Sequence, residues 1–248
     1  MKSPLLYILE VLFCSGLLLA FYRLLLVRKV SFRACRRYLV AAVFLSAVIP
    51  ALDIPLYPAR TVVYPLPLIA APPAENFVQT TGKLPAAVPV VPSGWRRILR
   101  PMAVGGYLTA VFLSLGFLAV RMVGIRRLRR RSRLTDCGAY TLAEHPQIAT
   151  PFSFLRTVFL GGGYEGRRRM IVLCHEAGHV RHRHSAERIA VELVRSLFWF
   201  NPFVWIAGRW LQEVHEWEAD RDVLDAGYDL TEYRTVIFFT NSSAIIRI

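Results

Sequence analysis

The chain has 248 residues, 54% of them hydrophobic, with a mean hydropathy of +0.39 and 31 Lys plus Arg against 17 Asp plus Glu. That length holds one or two domains, and its apolar residues are bunched, which points to a membrane rather than to a single soluble core. Twenty-eight of the cations are arginines. In so apolar a chain they read as basic loops kept on the cytoplasmic side rather than as a nucleic-acid footprint, so no direct nucleic-acid partner is expected.

The first apolar run, residues 4–22, is long enough to span a bilayer although Glu10 interrupts it. It lacks the basic start and small-residue cleavage site of a signal peptide. Arg23, Arg28, Lys29, Arg33, Arg36 and Arg37 follow with no acid among them. A second span is predicted over 38–52, ending near Pro50. Residues 53–95 hold nine prolines and no long helical pattern, which predicts an extended external loop. A third span over 101–120 runs into seven arginines in thirteen residues, 121–133. Counting cations at the span ends places the amino terminus outside and everything after Arg121 in the cytoplasm.

Cys14 and Cys35 belong to the membrane part, and Cys137 and Cys174 to the basic part. They read as reduced thiols rather than a disulfide scaffold. Short apolar runs over 137–160 predict two or three strands. Glycines 161, 162, 163 and 166 then lead into a predicted helix over 167–184 carrying "HEAGH", residues 175–179.

On a helix, His175 and His179 share one face about 6 Å apart and can grip one cation. Glu176 is rotated so as to reach a water on that cation without ligating it, the arrangement of zinc peptidases. A third ligand is required, and His182, His184, His215 and Glu216 are the candidates. His182 lies in line with the other two on the same helix, where three ligands cannot surround an ion, and it reads as part of a solvated basic turn. Glu216 is better placed: Asp220, one turn on, can orient a histidine ligand from behind. A straight helix over 189–211 would be about 35 Å long and would carry Glu216 to the far membrane face. Asn201–Pro202 breaks the helix there, so a re-entrant or interfacial hairpin over 187–213 is predicted, with its aromatics at the interface.

HEAGH at 175–179, "EWEAD" at 216–220, "TPFSF" at 150–154 and the "WFNP" turn at 199–202 together resemble the BlaR/MecR-type antirepressor and antibiotic-sensor peptidases, which are membrane gluzincins. The resemblance covers roughly residues 1–230. It implies Zn2+ on His175, His179 and Glu216, Glu176 as general base and Asp220 as a supporting carboxylate; His215 or Tyr233 would be the extra oxyanion donor. The fold expected is a mainly α membrane protein. Its membrane region, 1–120, carries three transmembrane helices. A small α+β gluzincin-like zinc peptidase domain lies on the cytoplasmic side over 121–230, and an apolar tail follows over 231–248.

The function implied is intracellular cleavage of a repressor-like protein, or of the chain itself, in a bacterial cytoplasmic membrane. The partners expected are that protein substrate, membrane lipid and, as an option, a second copy of the chain. A substrate segment would add to an edge strand among residues 148–160. The arginine-rich stretch 126–133 is open to self-cleavage but reads first as a topology-setting flank. The family's external penicillin-binding sensor follows a further span, whereas this sequence ends at Ile248. It is read as a fragment or as a relative without that sensor. The rival readings are a membrane-protein quality-control peptidase, an intramembrane protease using "VLDAG" (223–227), and a non-catalytic receptor holding zinc structurally. The last has no use for a non-ligating Glu176.

Overall fold

The computed structural model describes residues 4–27, 29–52 and 94–236. The proline-rich segment 53–93 and the tail from 237 lie outside the described residues. Among the described residues, three helices are long and apolar enough to cross a membrane, over Pro4–Leu26, Phe32–Ala51 and Pro101–Arg131. The described residues divide between two units, 4–52 with 108–236 and 94–107.

Helix α1, Pro4–Phe21, ends in a π-helical turn over Tyr22–Leu26. Helix α2, Phe32–Val48, begins six residues before the predicted span because Ser31 caps it, its hydroxyl accepting from the Ala34 amide. Arg33, Arg36 and Arg37 therefore stand on the first turns of a helix rather than in a loop. Helix α3, Gly94–Arg131, likewise runs straight through the arginine flank predicted to follow the span, since arginine is a good helix former once the chain is helical.

A four-stranded sheet follows, in the order β1-β2-β4-β3. Strands β1 (Arg133–Asp136) and β2 (Thr141–Glu144) are antiparallel, β2 and β4 (Thr157–Leu160) parallel, and β3 (Phe152–Phe154) and β4 antiparallel. The sequence reading placed two or three strands here. It missed β1, which is exposed at all four positions and so shows no apolar alternation.

Helices α4 (Gly166–Arg181), α5 (His184–Leu197) and α6 (Pro202–Asp225) complete the described fold, with a final helical stretch at 230–236. The predicted motif helix is α4, which ends three residues earlier than expected, at Arg181. Arg183 takes a left-handed conformation (φ 59°) that separates α4 from α5. Along α6 the buried residues Val204, Ala207, Leu211, Val214, His215, Glu218, Ala219 and Val223 recur at three and four, one stripe of a 3.6-residue period. The upper part of the stripe packs with Leu19, Tyr22, Leu39, Val43, Val191 and Val194 in a core shared by α1, α2 and α5. Its lower end, Val223, joins Leu142, Val158, Leu160, Ile171 and Val172 under the sheet.

The α5–α6 hairpin turns at Phe198–Asn201. Asn201 is fully buried. Its side-chain oxygen accepts from the Phe203 amide at 2.9 Å, and its amide donates to Ser15 Oγ on α1 at 3.0 Å. Pro202 at the first helical position gives up an amide that has no intrahelical partner there anyway. Gly16 beside Ser15 leaves room for the Phe203 ring, which a Cβ on Gly16 would approach to 3.1 Å. Asn201→Ala removes the cap and leaves Ser15 without its donor. We expect it to lower stability by roughly 1–3 kcal/mol, seen as an earlier unfolding midpoint in detergent micelles.

Candidate metal centre

Helix α4 places His175 and His179 one turn apart with their rings edge to face and centroids 4.9 Å apart. Their Nε2 atoms lie 3.2 Å from each other. Helix α6, returning antiparallel from the hairpin turn, brings Glu216 Oε2 to 3.4 Å from His175 Nε2 and 3.7 Å from His179 Nε2. Ligand atoms about 2.0–2.1 Å from a tetrahedral ion are themselves about 3.3–3.4 Å apart. A triangle with edges of 3.2, 3.4 and 3.7 Å has that size. The three residues also form the only His/Cys/Asp/Glu group among the described residues whose atoms are close enough to hold a metal.

The back of His175 is occupied too. Its Nδ1 lies 2.8 Å from the Tyr233 hydroxyl and 3.3 Å from Asp220 Oδ1, and Tyr233 donates to that same carboxylate oxygen. Burial alone would lower the pKa of His175. The hydrogen bonds to Asp220 and Glu216 outweigh it and push the pKa up to about 10. Burial would raise that of Glu216, but both histidines hold it far below the carboxylate range. Tyr233 is pushed well above an ordinary phenol by burial and by its hydrogen bond to Asp220.

The remaining candidates fall behind or beside this triangle. His184 stands behind His179, Nδ1 to Nδ1 at 2.8 Å, with its Nε2 3.1 Å from Glu218 Oε2. Burial drives its pKa far down. His215 stacks on His184 with centroids 4.0 Å apart and points its Nε2 at Glu187 Oε2, 2.9 Å away. Burial lowers its pKa although Glu187 opposes the shift. His182 is not part of a solvated turn. It is largely buried, with Nε2 2.9 Å from Asp222 Oδ2 and Nδ1 3.7 Å from Glu218 Oε1. The reason is tertiary: α6 lies against the end of α4 and presents Glu218 and Asp222 there. Of the two residues expected to stabilise an oxyanion, Tyr233 has its hydroxyl on the Nδ1 side of His175 and His215 has Nε2 on Glu187.

Glu176 is buried, and burial raises its pKa against the pull of His175 and His179. It opens with the triangle onto a cavity of about 640 Å³. One wall of the cavity is apolar, formed by Phe117, Leu118 and Met122 of α3, and another is β3, which lies at the edge of the sheet. Sequence reasoning passed over Glu218, Glu187, Asp222 and Arg36. Only the spacing of Glu218 and Asp222, four apart on the apolar stripe of α6, hinted at a buried role.

The glycine of HEAGH is set by the approach of α6. A Cβ on Gly178 would stand 3.0 Å from Asp222 Oδ2 and 3.4 Å from the Ala219 Cα. Gly178→Val wedges α4 from α6 and so draws Glu216 away from the histidines. We expect a loss of about 1–3 kcal/mol in stability. We also expect weaker metal uptake than wild type, read by equilibrium dialysis on the folded fraction.

A search of curated proteins returns no significant match. The family model described as BlaR1 peptidase M56 matches residues 17–237, a stretch that begins within the first candidate membrane helix and takes in the second and third, the sheet, α4 and the α5–α6 hairpin. With most of its length inside that match, the chain belongs to the BlaR1 peptidase M56 family, a family of membrane peptidases.

Proposed function

We propose that this protein is a zinc-dependent endopeptidase of the cytoplasmic membrane that cuts a repressor-like protein, or itself, on the cytoplasmic side. The observation that carries the reading is the convergence of His175, His179 and Glu216, from two helices, beside the buried carboxylate of Glu176. On this reading those three residues hold the ion. When bound, it supplies Lewis-acid polarisation of the scissile carbonyl and lowers the pKa of a water. Glu176 takes the proton of the attacking water and hands it to the leaving nitrogen; a carboxyl whose pKa burial has raised suits both steps. Asp220 and Tyr233 hold the His175 ring from its Nδ1 side. A substrate segment adds to the free side of β3, whose Phe152–Phe154 line the cavity.

Packing and charge support the cytoplasmic side. Asn201, at the hairpin tip, meets Ser15, midway along the candidate span Pro4–Leu26. A tip at that depth supports a re-entrant hairpin. From there α6 descends past Tyr22, whose ring is 5.5 Å from that of Trp210, to Trp217 beside Phe32 at 6.0 Å. Glu216 thus lies level with the connection between α1 and α2, which carries the basic residues that are retained in the cytoplasm. Signalling by proteolysis of a repressor fits the family, and the cavity is open enough for a peptide segment.

Purified protein in detergent is expected to hold one zinc ion per chain and to cut an unstructured labelled protein such as casein. Glu176→Gln should retain the zinc and lose activity by a factor of at least about 10². Cleavage by the variant at the wild-type rate would remove Glu176 from the chemistry. Zinc binding should also be linked to protons. Ligation needs neutral imidazole, while metal-free His175 keeps its proton up to about pH 10. The metal-free state therefore binds one more proton than the loaded state at neutral pH. Affinity should rise with pH and level off near 10, and calorimetry in buffers of different ionisation enthalpy should find about one proton released.

A further inference from the structure

A single guanidinium, that of Arg36, reaches toward three helices that build the candidate site, α4, α5 and α6. Arg36, in the second turn of α2, is buried to 13% exposure. It donates from Nη1 to Glu218 Oε2 on α6 at 2.7 Å and to the carbonyl of His182, the residue that ends α4, at 3.1 Å. Its Nε lies 3.4 Å from Glu187 Oε1 on α5. Glu187 in turn holds His215, and Glu218 holds His184.

The tautomers that follow make this a directed chain. An imidazole that binds an ion through Nε2 keeps its proton on Nδ1. His179 must then donate from Nδ1 to His184 Nδ1, 2.8 Å away. His184 can accept there only with its own proton on Nε2, which is aimed at Glu218 Oε2 at 3.1 Å. The accepting oxygen of Glu218 is the one that Arg36 grips. One line of donors and acceptors therefore runs from a candidate ligand through α5 and α6 to a helix that is apolar enough to cross the membrane.

We propose that Arg36 is a positioning residue that sets the orientation of His179 through Glu218 and His184, so that the seating of α2 against α4, α5 and α6 tunes the metal centre. The proposal rests on the reading of His175, His179 and Glu216 as metal ligands. It gives the centre a mechanical input. A shift of α2 that draws Arg36 off Glu218 leaves a buried carboxylate without its cation and releases His184 and His179 to turn. Arg33 offers the built-in contrast. It stands on the same helix, 3.7 Å from Glu218 Oε1, but its side chain is 72% exposed.

The test is metal binding by the full chain in detergent micelles, with zinc affinity read by chelator competition and ligand geometry read from the visible absorption of the cobalt(II)-loaded protein. Arg36→Gln should weaken zinc binding about 10- to 100-fold, the usual cost of losing an outer partner of a ligand, and shift the cobalt bands. Arg36→Lys, which restores the charge without the second donor arm, should recover part of both and also serves if the glutamine variant does not fold. Arg33→Gln should match wild type. Wild-type affinity and bands in Arg36→Gln, or in Arg36→Lys should that be the only variant to fold, would overturn the proposal, as would an equal loss in Arg33→Gln. A wild-type protein that takes up neither ion would overturn the metal reading and this proposal together.

Discussion

The structure depends on the chain turning back at Asn201. Two histidines on one helix can define only part of a coordination sphere, so a third ligand must arrive from elsewhere. Here the candidate, Glu216, stands 37 positions later in sequence, after a strongly apolar segment. Helix α6 reaches α4 because Asn201 closes the hairpin with both halves of its amide, capping the new helix and tying the tip to Ser15. A buried amide is costly unless its donors and acceptor find partners. Satisfied on two sides, it fixes where the hairpin turns against α1, and with it where Glu216 stands relative to α4.

The second constraint is closeness. Gly178 and Ala219 let α4 and α6 approach where larger residues would hold them apart. The small residues of the sequence motif are therefore about helix spacing, while its histidines and glutamate are about chemistry. Close packing also explains the polar cluster beyond the candidate ligands. With the helices this near, His182, His184, His215, Glu187, Glu218, Asp222 and Arg36 cannot all reach water, and they pair with one another instead. Such a network is a poor source of net stability, because the desolvation of its charges offsets much of their attraction. Its value is specificity of arrangement: losing any one member strands its neighbour.

Much of the architecture was legible in the residues themselves. The three apolar segments, the His175/His179 pair, the helix break at Asn201–Pro202 and the pairing of Glu216 with Asp220 are all local patterns of hydropathy, spacing or backbone restriction. The limits were also physical. The start of α2 was read too late because its first turns are basic, and strand β1 was invisible because no face of it is buried. His182 read as solvated because exposure is not a property of a residue's neighbours in sequence.

What the sequence by itself determined is thus which groups stand one helical turn apart and where the chain must bend, since both follow from backbone geometry within a few residues. What only the tertiary structure decided is which nitrogen of each imidazole faces which partner, that Tyr233 and Asp220 share His175, and that Arg36 reaches three helices at once. Those contacts join residues 5 to 182 positions apart. They are selected by the packing of whole helices, and no periodicity along the chain encodes that.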